Sequence, residues 1–207
     1  MSFWKPPKFI VVPSYYFWRS IARAIGWKDY RLQTFGRENV PRTGPLILAS
    51  NHISWLDPPL VGAHFPRRIS YMAKKELFEI RWLGRLISTM GAFPVDREGS
   101  ARAAIKHSLD ILKDGGCIGI FPEGGRNLEG DKQAQTGVAL LASLSGAPVI
   151  PAAIVGSERA KERPRHPVKV FYGKPLSLPA GRKVTREDLA QFTEEIMAAI
   201  ASLRENA

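Results

Sequence analysis

Short apolar runs alternate with amphipathic stretches along most of this chain, and nothing else limits its fold so tightly. "LILAS" (46–50), "RISYMAK" (68–74), "AFPVD" (92–96), "GCIGIF" (116–121), "PVIPAAIVG" (148–156) and "VKVFYG" (168–173) read as strands. Between them, "DPPLVGAHF" (57–65), "KELFEIRWLGRLISTMG" (75–91) and residues 134–145 read as helices. Ser100 is placed to cap another helix, with Ala104, Ile105, Ser108, Ile111 and Leu112 on one face and His107 off it in solvent. Thr185 with Asp188 is a capping-box signature, opening a final helix that carries Leu189, Phe192, Ile196, Ile200 and Leu203. Such alternation predicts an α/β layered domain with a mixed sheet flanked by helices. At 207 residues, with no internal repeat and no linker, one such domain is expected. "SERAKERPRHP" (157–167) reads as a polar, basic loop.

One uncharged stretch, "GVALLASLSGAPVIPAAIVG" (137–156), has the length of a membrane span. Gly146-Ala147-Pro148 divides it, so it reads as a helix followed by a buried strand. The apolar run at 8–19 is too short to span a bilayer and lacks a cleavage site. The N-terminal region interleaves Phe3, Trp4, Phe9, Tyr15, Tyr16, Phe17, Trp18 and Trp27 with Lys5, Lys8, Arg19, Arg23 and Lys28. Rings of this kind sit well at headgroup level and the cations favour anionic lipid. A helix from about Ser14 to Ile25 could lie in that interface or pack on the domain, and the mixture of rings and cations favours the interface. The net charge of +11 agrees with an anionic partner. The single cysteine, Cys117, can form no internal disulfide, which suits the cytoplasm. No metal-ligand cluster is apparent, so neither a metal nor a cofactor is expected.

"SNHISWLDPP" (50–59) sets His52 and Asp57 five residues apart. In one continuous helix they would lie roughly 140° apart. Pro58 also disfavours a helical Asp57, so the segment reads as a strand end, a bend and a new helix. Two readings follow. Asp57 is an N-cap with Pro58 at the first helical position. Alternatively, the bend folds the carboxylate back on the imidazole, fixing its tautomer for proton abstraction. The chain has no G-x-S-x-G elbow, and Cys117 lies within an apolar strand. A His–Asp pair without a protein nucleophile suggests a general base acting on a bound hydroxyl.

"FPEGGRN" (121–127) follows an apolar strand, where α/β folds place ligands. Gly124 and Gly125 allow close backbone approach to an anion, Arg126 offers a phosphate fork, and Glu123 could orient that arginine. Alone, such a loop is a weak signal.

Together these segments resemble the glycerolipid acyltransferase family, of the bacterial 1-acyl-glycerol-3-phosphate acyltransferase type. "NHISWLD" is similar to the family's N-H-x4-D block, "GAFPVDR" (91–97) to its second block, "FPEGGRN" to its E-G-T-R block and "VIPAAIVG" (149–156) to its proline-containing fourth block. "AKKELF" (73–78) is also similar. The blocks keep the family order over about half the chain. Gly125 stands where threonine is usual, and Thr136 where lysine often precedes the glycine. The resemblance implies that His52, held by Asp57, deprotonates the free hydroxyl of a lysophosphatidate. That oxygen then attacks the thioester of an acyl carrier protein or coenzyme A donor. It implies a phosphate cradle of Glu123, Gly124, Gly125 and Arg126, with Arg97 and Lys74 as further cations. Pro151 would shape the acyl pocket or serve as a strand-edge proline. His64 and His166 match no block and are expected at the surface.

On this reading residues 1–28 are an amphipathic membrane-docking segment and 29–207 the acyltransferase domain. The enzyme would sit peripherally on the cytoplasmic face of the cell membrane, meeting a lysophospholipid, a thioester carrier and an anionic surface. Three alternatives stay open: another acceptor such as glycerol-3-phosphate or a lyso-aminolipid, hydrolysis with water as acceptor, and a basic nucleic-acid-binding module. No nucleic-acid motif accompanies the charge, so nucleic acid is not the expected partner.

Overall fold

The run Leu46–Ser50 is buried at every position, as a strand covered on both faces must be. It lies near the middle of a seven-stranded sheet in a computed structural model, which describes residues 8–95, 101–127, 134–159, 166–178 and 184–206. In chain order the elements are α1 (Lys8–Tyr30), β1 (Gln33–Phe35), β2 (Leu46–Ser50), α2 (Asp57–Ala63), β3 (Ser70–Lys74), α3 (Glu76–Glu79) and α4 (Arg81–Thr89). There follow β4 (Phe93–Val95), α5 (Ala101–Lys113), β5 (Cys117–Ile120), α6 (Gly137–Ser145), β6 (Val149–Val155), β7 (Lys169–Tyr172) and α7 (Arg186–Glu205). The strand order is β1-β7-β6-β2-β5-β3-β4. Every pair is parallel except β6 with β7, so the sheet is mixed, as the alternation predicts.

Alternate residues of β2 feed two cores. Leu46 and Leu48 join Leu60, Ile150 and Ile154 on the α2 side. Ile47 and Ala49 join Leu112, Leu141, Phe192 and Ile196 on the side of α5, α6 and α7. The uncharged stretch at 137–156 divides as expected: α6 ends at Gly146 in the left-handed region, φ 66°, and β6 begins three residues later. No helix among the described residues is long and apolar enough to cross a membrane. The capping box at Thr185 forms with both of its bonds.

Three local features differ from expectation. The helical stretch 75–91 is two helices, because Ile80 turns extended (ψ 98°) and lets Gly84 pack directly on the Phe78 backbone. A three-residue edge strand, β1, pairs in parallel with β7 and is too short to leave a pattern. The N-terminal helix is longer than Ser14 to Ile25, starting at Lys8 with Pro13 inside it.

That helix also packs on the domain. Tyr15 is buried and its hydroxyl accepts a hydrogen bond from the Ile69 amide (3.1 Å). Arg19 and Arg23 donate to the carbonyls of Phe65 (3.3 Å) and Ala63 (2.6 Å), where α2 runs out of helical donors. Tyr16, Phe17, Ile25 and Trp27 are left exposed. Phe3, Trp4, Lys5, Arg97 and Ser100 lie outside the described residues.

Candidate active site

The sheet order places β2, β5 and β3 side by side and parallel, so their carboxyl ends emerge together. His52 follows β2, the 121–127 turn follows β5, and Lys74 ends β3. Such an edge is where open α/β sheets bind ligands.

Asn51 anchors the end of β2. Its side-chain amide donates to the Ile154 carbonyl (2.9 Å) and accepts from the Ile154 amide (2.8 Å), tying β2 to β6. The chain then bends sharply. Asp57 Oδ2 accepts from the amides of Ile53 (2.6 Å) and Ser54 (2.7 Å), and from His52 Nδ1 (2.9 Å). The carboxylate is fully buried, a costly position unless several donors face it. The N-cap reading of Asp57 is therefore corrected. Leu56 is the N-cap residue, Asp57 is the first residue of α2, and its side chain turns back into the bend. A capping aspartate would face the amides ahead of it; this one is claimed by two amides and an imidazole behind it. Because the carboxylate can only accept, Nδ1 carries the proton and Nε2 is left as the basic lone pair.

His52 is further held by an aromatic wall. Its ring stacks on Phe121 at 4.2 Å, and Phe121 stacks in turn on Tyr71 at 5.9 Å. Gly119 makes this possible, since any side chain there would collide with the Tyr71 ring. Burial holds the Tyr71 hydroxyl well above the usual phenol range.

The 121–127 turn serves two purposes. Gly124 has φ +68° and its amide closes the turn on the Phe121 carbonyl (2.9 Å). Glu123 accepts from the His52 amide (3.1 Å) and from Asn127 Nδ2 (3.3 Å), and the Asn127 amide donates to the His52 carbonyl (2.7 Å). Glu123 and Gly124 thus brace the bend from behind. Gly125 and Arg126 face the cavity. The Arg126 guanidinium lies 4.7 Å from the Trp55 ring, a cation–π contact between the two turns.

These groups meet at a cavity of about 580 Å³. His52, Trp55, Lys74, Phe121, Gly125 and Arg126 form its polar end. Leu77, Leu83, Ile87 and Met90 of the α3–α4 region and Trp18 and Ala22 of α1 supply apolar wall. A volume of this order suits a lipid-sized ligand.

Of the residues singled out in the sequence, His52, Asp57, Glu123, Gly124, Gly125, Arg126 and Lys74 gather at this edge, while Arg97 lies outside the described residues. Pro151 is neither at the pocket nor on an edge strand. It shares the register of Ala49, two residues on from Val149, and so faces the α7 side of central β6. His64 is not a surface group either: it is half-buried, and burial with Arg23, Arg37 and Arg19 nearby lowers its pKa. His107 is exposed, with its ring edge-on to Phe93 at 4.7 Å. Asn51, Phe121, Tyr71 and Trp55 were not legible as site residues. Asn51, Trp55 and Phe121 lie inside the two blocks without a signal of their own, and Tyr71 leaves none in the sequence.

The comparisons with known proteins agree with one another. A family model described as "Acyltransferase" matches residues 31–155. The 1-acyl-sn-glycerol-3-phosphate acyltransferase of Bacillus subtilis is 35% identical over 175 residues, covering 83% of this chain and 87% of that protein. The protein of the same name from Streptococcus pneumoniae is 32% identical, covering 77% and 60% respectively. The crystal structure of the 1-acyl-sn-glycerophosphate (LPA) acyltransferase PlsC from Thermotoga maritima superposes with a TM-score of 0.70 at 25% identity, over 95% of this chain and 79% of that one. With a bent His–Asp pair, a braced Gly-Gly turn and a family match spanning more than half its length, this chain belongs to the acyltransferase family.

Proposed function

We propose that the protein transfers a fatty acyl group from a thioester donor to the sn-2 hydroxyl of 1-acyl-glycerol-3-phosphate, giving phosphatidate. The observation that carries this is the 2.9 Å contact between His52 and a buried Asp57 at the polar end of an apolar cavity. His52 Nε2 takes the proton of the acceptor hydroxyl as the oxygen attacks the thioester carbonyl carbon. The imidazolium is stabilised by Asp57. Collapse of the tetrahedral intermediate breaks the C–S bond, and the imidazolium returns the proton to the departing thiolate of acyl carrier protein or coenzyme A. No bond to the protein forms.

Arg126 and Lys74 supply the cations for the acceptor phosphate, with Gly125 allowing close approach. Glu123 and Gly124 hold the turn that carries Gly125 and Arg126. Arg97 is a further cation for the same phosphate. Leu77, Leu83, Ile87 and Met90 would receive an acyl chain. Such substrates reside in a bilayer. Residues 1–28 would dock the enzyme peripherally on an anionic membrane at its cytoplasmic face, using the exposed Phe17 and Trp27 of α1. The remaining residues, 29–207, form the catalytic domain.

The test is a product analysis. Purified protein is offered lysophosphatidate, glycerol-3-phosphate, lyso-aminolipids and water, with acyl carrier protein and coenzyme A thioesters, and products are identified by mass. Phosphatidate from lysophosphatidate is the expected product. Free fatty acid as the main product, or acylation confined to another acceptor, would contradict the proposal.

A further inference from the structure

The docking segment read from the sequence ends at Lys28, yet a second group of exposed apolar side chains lies outside it. Trp82 at the start of α4 is 68% exposed, comparable to Phe17 within the docking segment at 60%. Both line one open groove between α1 and α4, together with Trp18, Arg85 and Leu86. Ile80, at the break between α3 and α4, is exposed as well. An exposed tryptophan in a break-and-helix segment has no role in the core, and a pair of such rings across one groove is unusual for a solvent-facing surface.

Helix α4 divides its faces by its own periodicity. Leu83 and Ile87, four residues apart, line the catalytic cavity. Trp82 and Leu86, also four apart, line the outer groove with Arg85. The outer groove and the apolar part of the cavity therefore lie on adjoining faces of α4, with Trp18 at the border of both.

The charges beside these rings identify the partner. Arg81 and Arg85 are exposed on either side of Trp82, and α4 carries no acidic residue. The acidic neighbours are Glu76 and Glu79 of α3. A tryptophan flanked by arginines, next to a second aromatic across a groove, matches the headgroup region of an anionic bilayer.

We infer that α4, with Trp82 as its anchor and Ile80, Arg81 and Arg85 beside it, forms a second limb of the membrane-docking surface with the Phe17 face of α1. The bilayer then lies against the wall of the acyl cavity. This rests on the proposed docking through α1 and extends it to a region far away in sequence.

The full-length protein is mixed with phosphatidylcholine vesicles with and without phosphatidylglycerol, and the sedimenting fraction is measured. Trp82→Ala, Ile80→Ser and Phe17→Ala are compared with the parent, with melting temperature and solution mass followed in parallel. Turnover is also read on a short-chain lysophosphatidate dispersed below its aggregation limit. Trp82→Ala and Phe17→Ala should each weaken binding to anionic vesicles by about fivefold or more, as expected for losing an interfacial aromatic anchor. Ile80→Ser should weaken it less. Turnover of the dispersed acceptor by Trp82→Ala should match the parent, because Trp82 does not border the cavity. If Phe17→Ala releases the protein and neither α4 variant does, the second limb is refuted while docking through α1 stands. Unchanged binding by all three refutes both. A parent that is dimeric in solution and a Trp82→Ala variant that is monomeric, with vesicle binding intact, would show an interface between copies and also refute the inference.

Discussion

The two ends of the cavity are built in opposite ways. At the polar end, the bend that carries His52 is cross-braced by short hydrogen bonds: Asp57 to two amides and an imidazole, Glu123 to the His52 amide, Asn51 to Ile154. The apolar wall comes largely from side chains on α1, α3 and α4, which meet through packing. The difference separates two requirements. Proton transfer to a bound hydroxyl needs groups fixed to within fractions of an ångström. An acyl chain needs only dry room of suitable length. Substitutions at the braced end should therefore cost turnover steeply, and substitutions at the packed end should shift preference gradually.

The largest effect is expected from Asp57→Ala, which should damage the braced end in two ways. Three donors lose their acceptor in a buried site, each left unsatisfied at a cost of about 1–3 kcal/mol of stability. Turnover should also fall by at least about 10²-fold. Thermal melts and steady-state kinetics on the same preparation check both. An unaltered melting temperature would show that the bend does not depend on its carboxylate. Asp57→Asn, which keeps an acceptor oxygen, should recover much of the stability and little of the turnover.

Next is Arg126→Ala. A lost hydrogen bond to a charged group is worth about 1.5–3 kcal/mol, so KM for lysophosphatidate should rise roughly 10- to 150-fold. The rate at saturation should change much less. An unchanged KM would remove Arg126 from the phosphate site and leave Lys74 and Arg97 as the cations to test.

At the packed end, Ile87→Trp should fill part of the apolar wall and shift preference toward shorter acyl chains. Each excluded methylene costs about 0.8 kcal/mol, so selectivity should change by about fourfold per carbon. Competition between thioesters of different length, read by product mass, measures it. A uniform loss at every length would mean that the wall does not measure chain length.

The smallest effect concerns Cys117. Burial pushes its thiol up to about 12, so it stays protonated and shielded at working pH. A thiol reagent at pH 8 should leave the folded protein unlabelled and turnover unchanged, and should label it only after unfolding. Rapid labelling with loss of activity would reopen a cysteine acyl intermediate.

Much of the braced end is legible in the sequence because its parts are local. His52 and Asp57 are five residues apart, too far round a helix to meet, so a bend is implied before any coordinates, although Asp57 is itself helical despite Pro58 and the bend lies ahead of it. The role of Asp57 is less legible, since an aspartate before two prolines looks the same whether it caps the helix or turns back. What decides between them is the position of the Ile53 and Ser54 amides, which only the bend creates. The stack of Tyr71, Phe121 and His52 joins three separate segments, and no local pattern carries it. Pro151 shows the same limit. A strand proline suggests an edge, but β6 lies between β2 and β7, and its register turns Pro151 away from the cavity. The packed end was least visible. A break at Ile80 turns one expected helix into two, and so brings Trp82 beside Phe17.

The most direct test of the central claim is a single-turnover comparison of the parent with His52→Ala, at saturating thioester and lysophosphatidate, with melting temperatures matched. Loss of the general base should slow phosphatidate formation by about 10²–10⁴-fold while leaving substrate affinity nearly unchanged. Formation at close to the parent rate would contradict proton abstraction by His52.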